Sequence, residues 1–533
     1  MAGDRKSTMA ELATAARRPT ELLALLRFRA RGKAAIATAM GGMDDRWRWC
    51  YRILGQVSRS FALVIMELEA ELRDPVAIFY LVLRALDTVE DDTAVAASVR
   101  RSLCIGFHEK LVPEAGGWTT DGFGKGAEKE LLERFDTVHS CFSGLKPEYQ
   151  RVIADITREM GFGMAEHMDE TACVTVADYD RYCHYVAGLV GLGLTRMFAC
   201  SGLESPALAD PQRDHLANSM GLFLQKTNII RDYLEDLNDG RTFWPEEIWS
   251  VHADRLGAFA APEQRKAALS CLNAMVTDAL RHVPDCLEYM SAIRSPSVFH
   301  FVAIPQVMAM ATLAEVYANP AVFSGVVKLR RGKTAVLISR ATSVDLVHEL
   351  FFQSAVGMRA ACAPADPSVE ETRSALERII RRTLPHVPAT PDLTVPNRLS
   401  IVAFVTLSSY LLRRRAEHND GTGFSWRRGG IPEPLDMLAA GALFLVMMWM
   451  FSFFGLQFVT AGLRPRTARP AGGGRAGGGG GGARLAAAAS PMPAAHAGRL
   501  QPAPAGEAVM GARGTGDGVA PAAAAPVSGG GTA

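Results

Sequence analysis

Ala77-Ile78-Phe79-Tyr80-Leu81-Val82-Leu83-Arg84-Ala85-Leu86-Asp87-Thr88-Val89-Glu90-Asp91-Asp92 is the stretch on which the reading of this chain turns. It holds no Gly or Pro and is rich in good helix formers, so it predicts a helix. Residues i, i+4, i+7 and i+11 share one helical stripe. Here that stripe is Tyr80, Arg84, Asp87 and Asp91, with Glu90 beside it. A tyrosine, an arginine and three carboxylates therefore line one face of a mostly apolar helix. Carboxylates this close repel one another and stay ionised together only when cations bind. Hard divalent ions that take oxygen ligands, Mg²⁺ above all, are their natural partners.

The spacing recurs. Asp232-Tyr233-Leu234-Glu235-Asp236 repeats the D-x-x-E-D pattern, and Gln225, Asn228, Asp232 and Asp236 form a matching polar stripe flanked by Lys226 and Arg231. A single acidic helix end is ordinarily a solvated surface. Two of them, each embedded in apolar sequence and each close to an arginine, point to several Mg²⁺ ions held around a diphosphate, which makes it a good leaving group.

The 533-residue chain is 48% hydrophobic, ample for a large core, and its net charge of +1 argues against nucleic acid as a partner. Nine scattered cysteines without a C-x-x-C pair read as reduced thiols in a cytosol-facing protein. Residues 1–45 form an Arg- and Ala-rich N-terminal segment without a secretory apolar core. Within it, Leu22 to Leu26 followed by Arg27, Arg29 and Arg31 reads as an amphipathic first helix. From 46 to 362 apolar residues recur at three- and four-residue spacing, which predicts one all-α, bundle-like catalytic domain. Residues 363–436, richer in Pro and charge, read as a linker with a short apolar helix at 399–412.

Met437 to Leu463 carries no charged residue. At ~1.5 Å per residue it crosses a ~30 Å hydrocarbon core, so it reads as a transmembrane helix anchoring the chain in a lipid bilayer. Arginines flank it on both sides, and charge alone does not orient it. Residues 464–533 are Gly/Ala/Pro low complexity and predicted to be disordered.

Three further segments carry polar or aromatic patterns. Ser58-Arg59-Ser60-Phe61-Ala62 sets two hydroxyls around an arginine, which suits a phosphate and equally suits a helix N-cap at Ser58 or Ser60. Between Tyr179 and Gly193, three glycines permit close helix packing or a break, while Tyr182 and Tyr185 either face one cavity or sit in the core. Val298 to Met308, with Phe299 and Phe301, is core or a membrane-contacting face, or else an aromatic wall for a carbocation. Lys328, Arg330, Arg331 and Lys333 form a basic cluster, read either as a phosphate grip or as a solvated turn.

Taken together, SRSFA at 58–62, FYLVLRALDTVEDD at 79–92, YCHYVAGLVGLGL at 182–194, NSMGLFLQKTNIIRDYLED at 218–236, GRTFWP at 240–245 and FVAIPQVMAMATLAEVY at 301–317 resemble the squalene synthases. The resemblance implies the all-α isoprenoid-synthase fold, with a monomeric catalytic domain facing the cytosol on an endoplasmic-reticulum anchor. The long tail departs from the family pattern. The implied reaction joins two farnesyl diphosphates head-to-head into presqualene diphosphate. That intermediate then loses its diphosphate, rearranges as a carbocation and is reduced by NADPH to squalene.

Carried onto this chain, the resemblance has Asp87, Glu90, Asp91, Asp232 and Asp236 bind Mg²⁺–diphosphate. Arg59, Arg84, Gln225, Lys226 and Arg231 would contact substrate. Tyr182, beside Tyr80 and Arg84, would transfer the proton of the first step, and Phe299 and Phe301 would shield the cation. Ser58, Ser60, Asn228, Lys328 and Arg330 would hold NADPH, a role resting on the resemblance alone since no Rossmann fingerprint exists here. A phytoene synthase-like enzyme, which shares both motifs, is the alternative, and a non-catalytic divalent-ion or lipid-binding membrane protein is the reading from another class.

Overall fold

The computed structural model describes residues 18, 20–27, 42–112, 117–168 and 173–388. The apolar segment at 399–412, the span at 437–463 and the tail lie outside the described residues. All described residues belong to one unit, Met1–Ala461.

Among the described residues every regular element is helical. Residues 20–27 form the expected first helix. Then follow α1 (Asp45–Val57), α2 (Arg59–Met66), α3 (Ala70–Asp91), α4 (Ala97–Gly106), α5 (Ala127–Glu133), α6 (Phe135–Ser143) and α7 (Pro147–His167). The middle of the chain gives α8 (Val176–Cys183), α9 (Leu189–Cys200), α10 (Asp214–Arg231), α11 (Tyr233–Asn238), α12 (Glu246–Trp249) and α13 (Arg265–Leu280). The rest is α14 (Val283–Ala292), α15 (Pro296–Val316), α16 (Arg331–Arg340), α17 (Val344–Ala361) and α18 (Val369–Thr383).

α15 is the central rod. Pro296 stands in its first turn, where a missing N–H costs nothing, and the Ser295 hydroxyl accepts from the Val298 amide. Its buried residues run round the whole circumference, from Phe299 and Phe301 to Ile304, Val307 and Met310, as a helix packed on all sides requires. It packs against α10 on one side and α17 on another. α3 is held as deeply, with Leu72, Ile78, Leu81 and Leu86 fully buried.

Between α8 and α9 the chain makes a π-helical turn, His184–Gly188. The wide turn lets the following helix cross α10 backbone to backbone. A Cβ on Gly191 would stand 2.3 Å from the Ala217 carbonyl oxygen, and one on Gly221 would stand 2.2 Å from that of Ala187. Only glycine allows this approach. The turn also separates two tyrosines expected to share a cavity: Tyr185 packs on Gly163, where a Cβ would meet its ring at 2.0 Å.

Two boundaries differ from the sequence reading. The helical domain does not stop at 362, because α18 packs on α13 and α17 and buries Leu376 and Ile379. At the other end, the first helix is tied to the domain through Glu21, which accepts from Arg330 at 3.0 Å and lies against Gly332.

Candidate active site

α3 delivers its stripe as expected. Oxygen atoms of Asp87, Glu90 and Asp91 all lie within 4.8 Å of one another at the C-terminal end of the helix. Arg84 donates to Asp87 at 2.7 Å and to the Tyr80 hydroxyl at 3.3 Å, so the stripe is tied together from one turn to the next. Burial, with Asp91 and Asp87 beside it, pushes the Glu90 carboxyl up to about 8. Burial first, and then Asp91 and Glu128, pushes Asp87 up to about 6 against the pull of Arg84.

The second motif straddles a helix break. α10 ends at Arg231, Asp232 is its C-cap, and α11 carries Asp236. Arg231 grips Asp232 with both Nε, at 2.8 Å, and Nη2. Burial raises Asp236 to about 6, and Asp232 adds to the rise.

Both motifs line one cavity of about 470 Å³, together with Tyr80, Arg84, Tyr182, Gln225, Asn228, Arg231 and Phe301. Its other walls are aliphatic and aromatic, among them Phe79, Val186, Val190 and Leu194. Cavities of about 220 and 400 Å³ share Phe61 and Asn228 with it. Phe301 also lines the smaller of these and meets Phe198 edge-on at 6.1 Å. An acidic, arginine-studded end opening on apolar walls suits a molecule with a polyanionic head and a hydrocarbon tail.

Other sequence candidates fall elsewhere. Lys226 is fully buried and turned away from the cavity, where its ammonium pairs with Asp278 and, at 2.5 Å, with Asp180. That corrects its assignment to substrate. The physical reason is its position next to Gln225, about 100° round the helix from the polar stripe. Phe299 is buried but does not line the cavity. Lys328 and Arg330 are exposed on the loop before α16. Ser58 occupies the N-cap position of α2 without a side-chain cap bond. The side chains of Arg59 and Ser60 lie outside the described residues.

Three site residues carried no expected role. Arg241 reaches Asp91 at 2.6 Å and Asp236 at 3.1 Å, joining the two motifs. Phe243 stacks on Tyr182 with ring centres 4.9 Å apart, and His167 lies 4.3 Å from the same tyrosine ring. Burial first, and then the nearby acids Glu90 and Asp87, holds the Tyr182 hydroxyl well above its usual range. These residues follow neither acidic spacing nor helical period, so only the GRTFWP segment marked the place of two of them.

Residues 54–333 match the family model described as squalene/phytoene synthase. The squalene synthase of Homo sapiens is 45% identical over 371 residues, covering 69% of this chain and 87% of that one. The squalene synthase of Nicotiana benthamiana is 49% identical over 341 residues, covering 63% and 81%. A solved ligand complex of TcSQS superposes with a TM-score of 0.62 at 47% identity, covering 64% of this chain and all of that one.

Proposed function

Since the chain belongs to the squalene/phytoene synthase family and acts as a squalene synthase, a transferase, we propose how its own residues divide the work. Two farnesyl diphosphates enter with their diphosphates at the acidic end and their chains along the apolar walls. Arg84 and Arg231 bear on the diphosphate oxygens. Tyr182, buried and stacked on Phe243, handles the proton lost as the cyclopropane of presqualene diphosphate closes. Phe301 and the aliphatic wall then keep water from the carbocation left when the second diphosphate departs.

The donor set fits a hard divalent cation. Three carboxylates whose oxygens crowd within 4.8 Å, two of them pushed towards protonation, are relieved by such an ion. Mg²⁺ held by Asp87, Glu90 and Asp91, and by Asp232 and Asp236, would neutralise the leaving diphosphate. The neighbouring cavity of about 400 Å³ has Asn228, Arg231, Thr227 and Thr334 among its lining, a polar rim that fits part of a nicotinamide nucleotide. Lys328 and Arg330 stand on the loop just before the helix that carries Thr334. NADPH bound there would supply the hydride of the final reduction.

We further propose a monomer anchored in the endoplasmic-reticulum membrane by 437–463, with the catalytic domain facing the cytosol. The observation that carries the functional reading is the pair of acidic motifs meeting over one apolar cavity. The test is product analysis from farnesyl diphosphate and Mg²⁺, with and without NADPH. Squalene should form only with both, and a chelator should stop diphosphate release. An unreduced C30 product at saturating NADPH would favour the phytoene synthase-like reading instead.

A further inference from the structure

We propose that Arg241 is a positioning residue, a fixed cation that stands between the two acidic motifs and holds them at their working separation. The inference rests on the Mg²⁺ reading of those motifs. Its guanidinium serves one carboxylate from each, with Nη1 on Asp91 Oδ1 at 2.6 Å and Nη2 on Asp236 Oδ1 at 3.1 Å. Asp239 joins at 3.4 Å. The pairs take only Oδ1 of Asp91 and of Asp236, so the second oxygen of each stays available to a divalent ion.

The base of the side chain is anchored to the second motif itself. Gly240, at φ +73°, turns the chain after α11, and the Arg241 amide donates to the Asp236 carbonyl at 2.9 Å. From that anchor the fork reaches back 150 residues in sequence to α3. A planar guanidinium engages two carboxylates at once, whereas an ammonium is a single point charge. Its Nε is buried with no hydrogen-bond partner, so the side chain is held where the two motifs need it and not where its own donors are best satisfied.

The same group ties the acidic end to the proton-transfer tyrosine. The guanidinium lies 5.7 Å from the centre of the Phe243 ring, and Phe243 stacks on Tyr182. Displacing Arg241 therefore disturbs both the distance between the motifs and the support of Tyr182. Without it, α3 and α11 face each other with uncompensated charge, and a divalent cation has to draw them together as well as bind.

The test compares the full-length wild type with Arg241→Met and Arg241→Lys in detergent, by thermal unfolding with and without millimolar Mg²⁺ and no substrate. Metal-free Arg241→Met should unfold about 3 °C lower, and its Mg²⁺-induced rise should exceed that of the wild type by a similar amount. Arg241→Lys should fall between. In turnover, kcat of Arg241→Met should drop about 100-fold, the scale of a misplaced reacting group, with KM much less affected. An Mg²⁺-induced rise equal to that of the wild type would show an ordinary ion pair and overturn the proposal. Should Arg241→Met not fold, the Lys variant carries the same comparison. If the wild type itself shows no rise, the Mg²⁺ reading fails, and the proposal fails with it.

Discussion

The role proposed for Phe301 depends on where α15 leaves it: at the wall of the acidic cavity and of its neighbour, 5% exposed, while Phe299 two residues earlier is core. A desolvated cation gains about 2 kcal/mol from an aromatic face, and the ring keeps water away from it. Phe301→Ala should therefore spare the formation of presqualene diphosphate relative to its conversion. With saturating NADPH the product profile should show accumulated intermediate or alcohols, and equal losses in both half-reactions would make Phe301 ordinary packing. A second residue-scale outcome concerns His348, 3% exposed, with neither ring nitrogen hydrogen-bonded. Burial first, and then His386 and Arg382, lowers it to about 4, against the opposing pull of Asp345, which pairs with His386 at 2.8 Å. The unfolded chain takes a proton near pH 6.5 that the native state refuses, so stability present above that pH is lost as pH falls towards 4. His348→Phe should flatten this acid-side loss by about 2 kcal/mol in urea unfolding at pH 7 and pH 5; parallel losses in both proteins would refute it. The first acidic stripe was legible from spacing because one helix sets the direction of Asp87, Glu90 and Asp91, whereas the break at Asp232 in the second was not. The exception, Lys226, was legible too, since adjacent residues on a helix do not share a face.

At the scale of elements, α18 was missed for a compositional reason. Its charges and the prolines before it resemble a linker, yet Val369, Thr372, Leu376, Ile379 and Thr383 recur at three and four residues, and all five are buried. Because Leu376 is fully buried against the domain, Leu376→Ala should cost about 2–5 kcal/mol, read as a lower urea midpoint with an unchanged slope. An effect below about 0.5 kcal/mol would mean that α18 is a dispensable appendage. The π turn had no sequence signal beyond the glycines around it. A helix that continues in register and one that gains an extra residue in a turn share the same apolar pattern until their neighbours are known. Its consequence is concrete, because Tyr182 before the turn and Val190 and Leu194 after it all line one cavity, while Tyr185 within it does not.

For the whole molecule, the fold class followed from periodicity, whereas the closure of the site did not. Arg241 meets Asp91 only because α11 and α3 are brought together by everything between them, and no local rule encodes a contact across 150 residues. All described cavity residues precede 388, and the expected span begins at 437, so a chain ending near residue 430 should be soluble and as active as the full protein. Folded but inactive protein would give the C-terminal region a role in catalysis. The pairing of Glu21 with Arg330 spans 309 residues of sequence. At about 5–20 residues per second of synthesis, the first helix waits about 15–60 s for its partner to leave the ribosome. Through that interval Leu23 and Leu26, roughly half-exposed even in the finished domain, are open to any chaperone that reads apolar segments. A segment made 309 residues ahead of its partner is thus among the last to find its place.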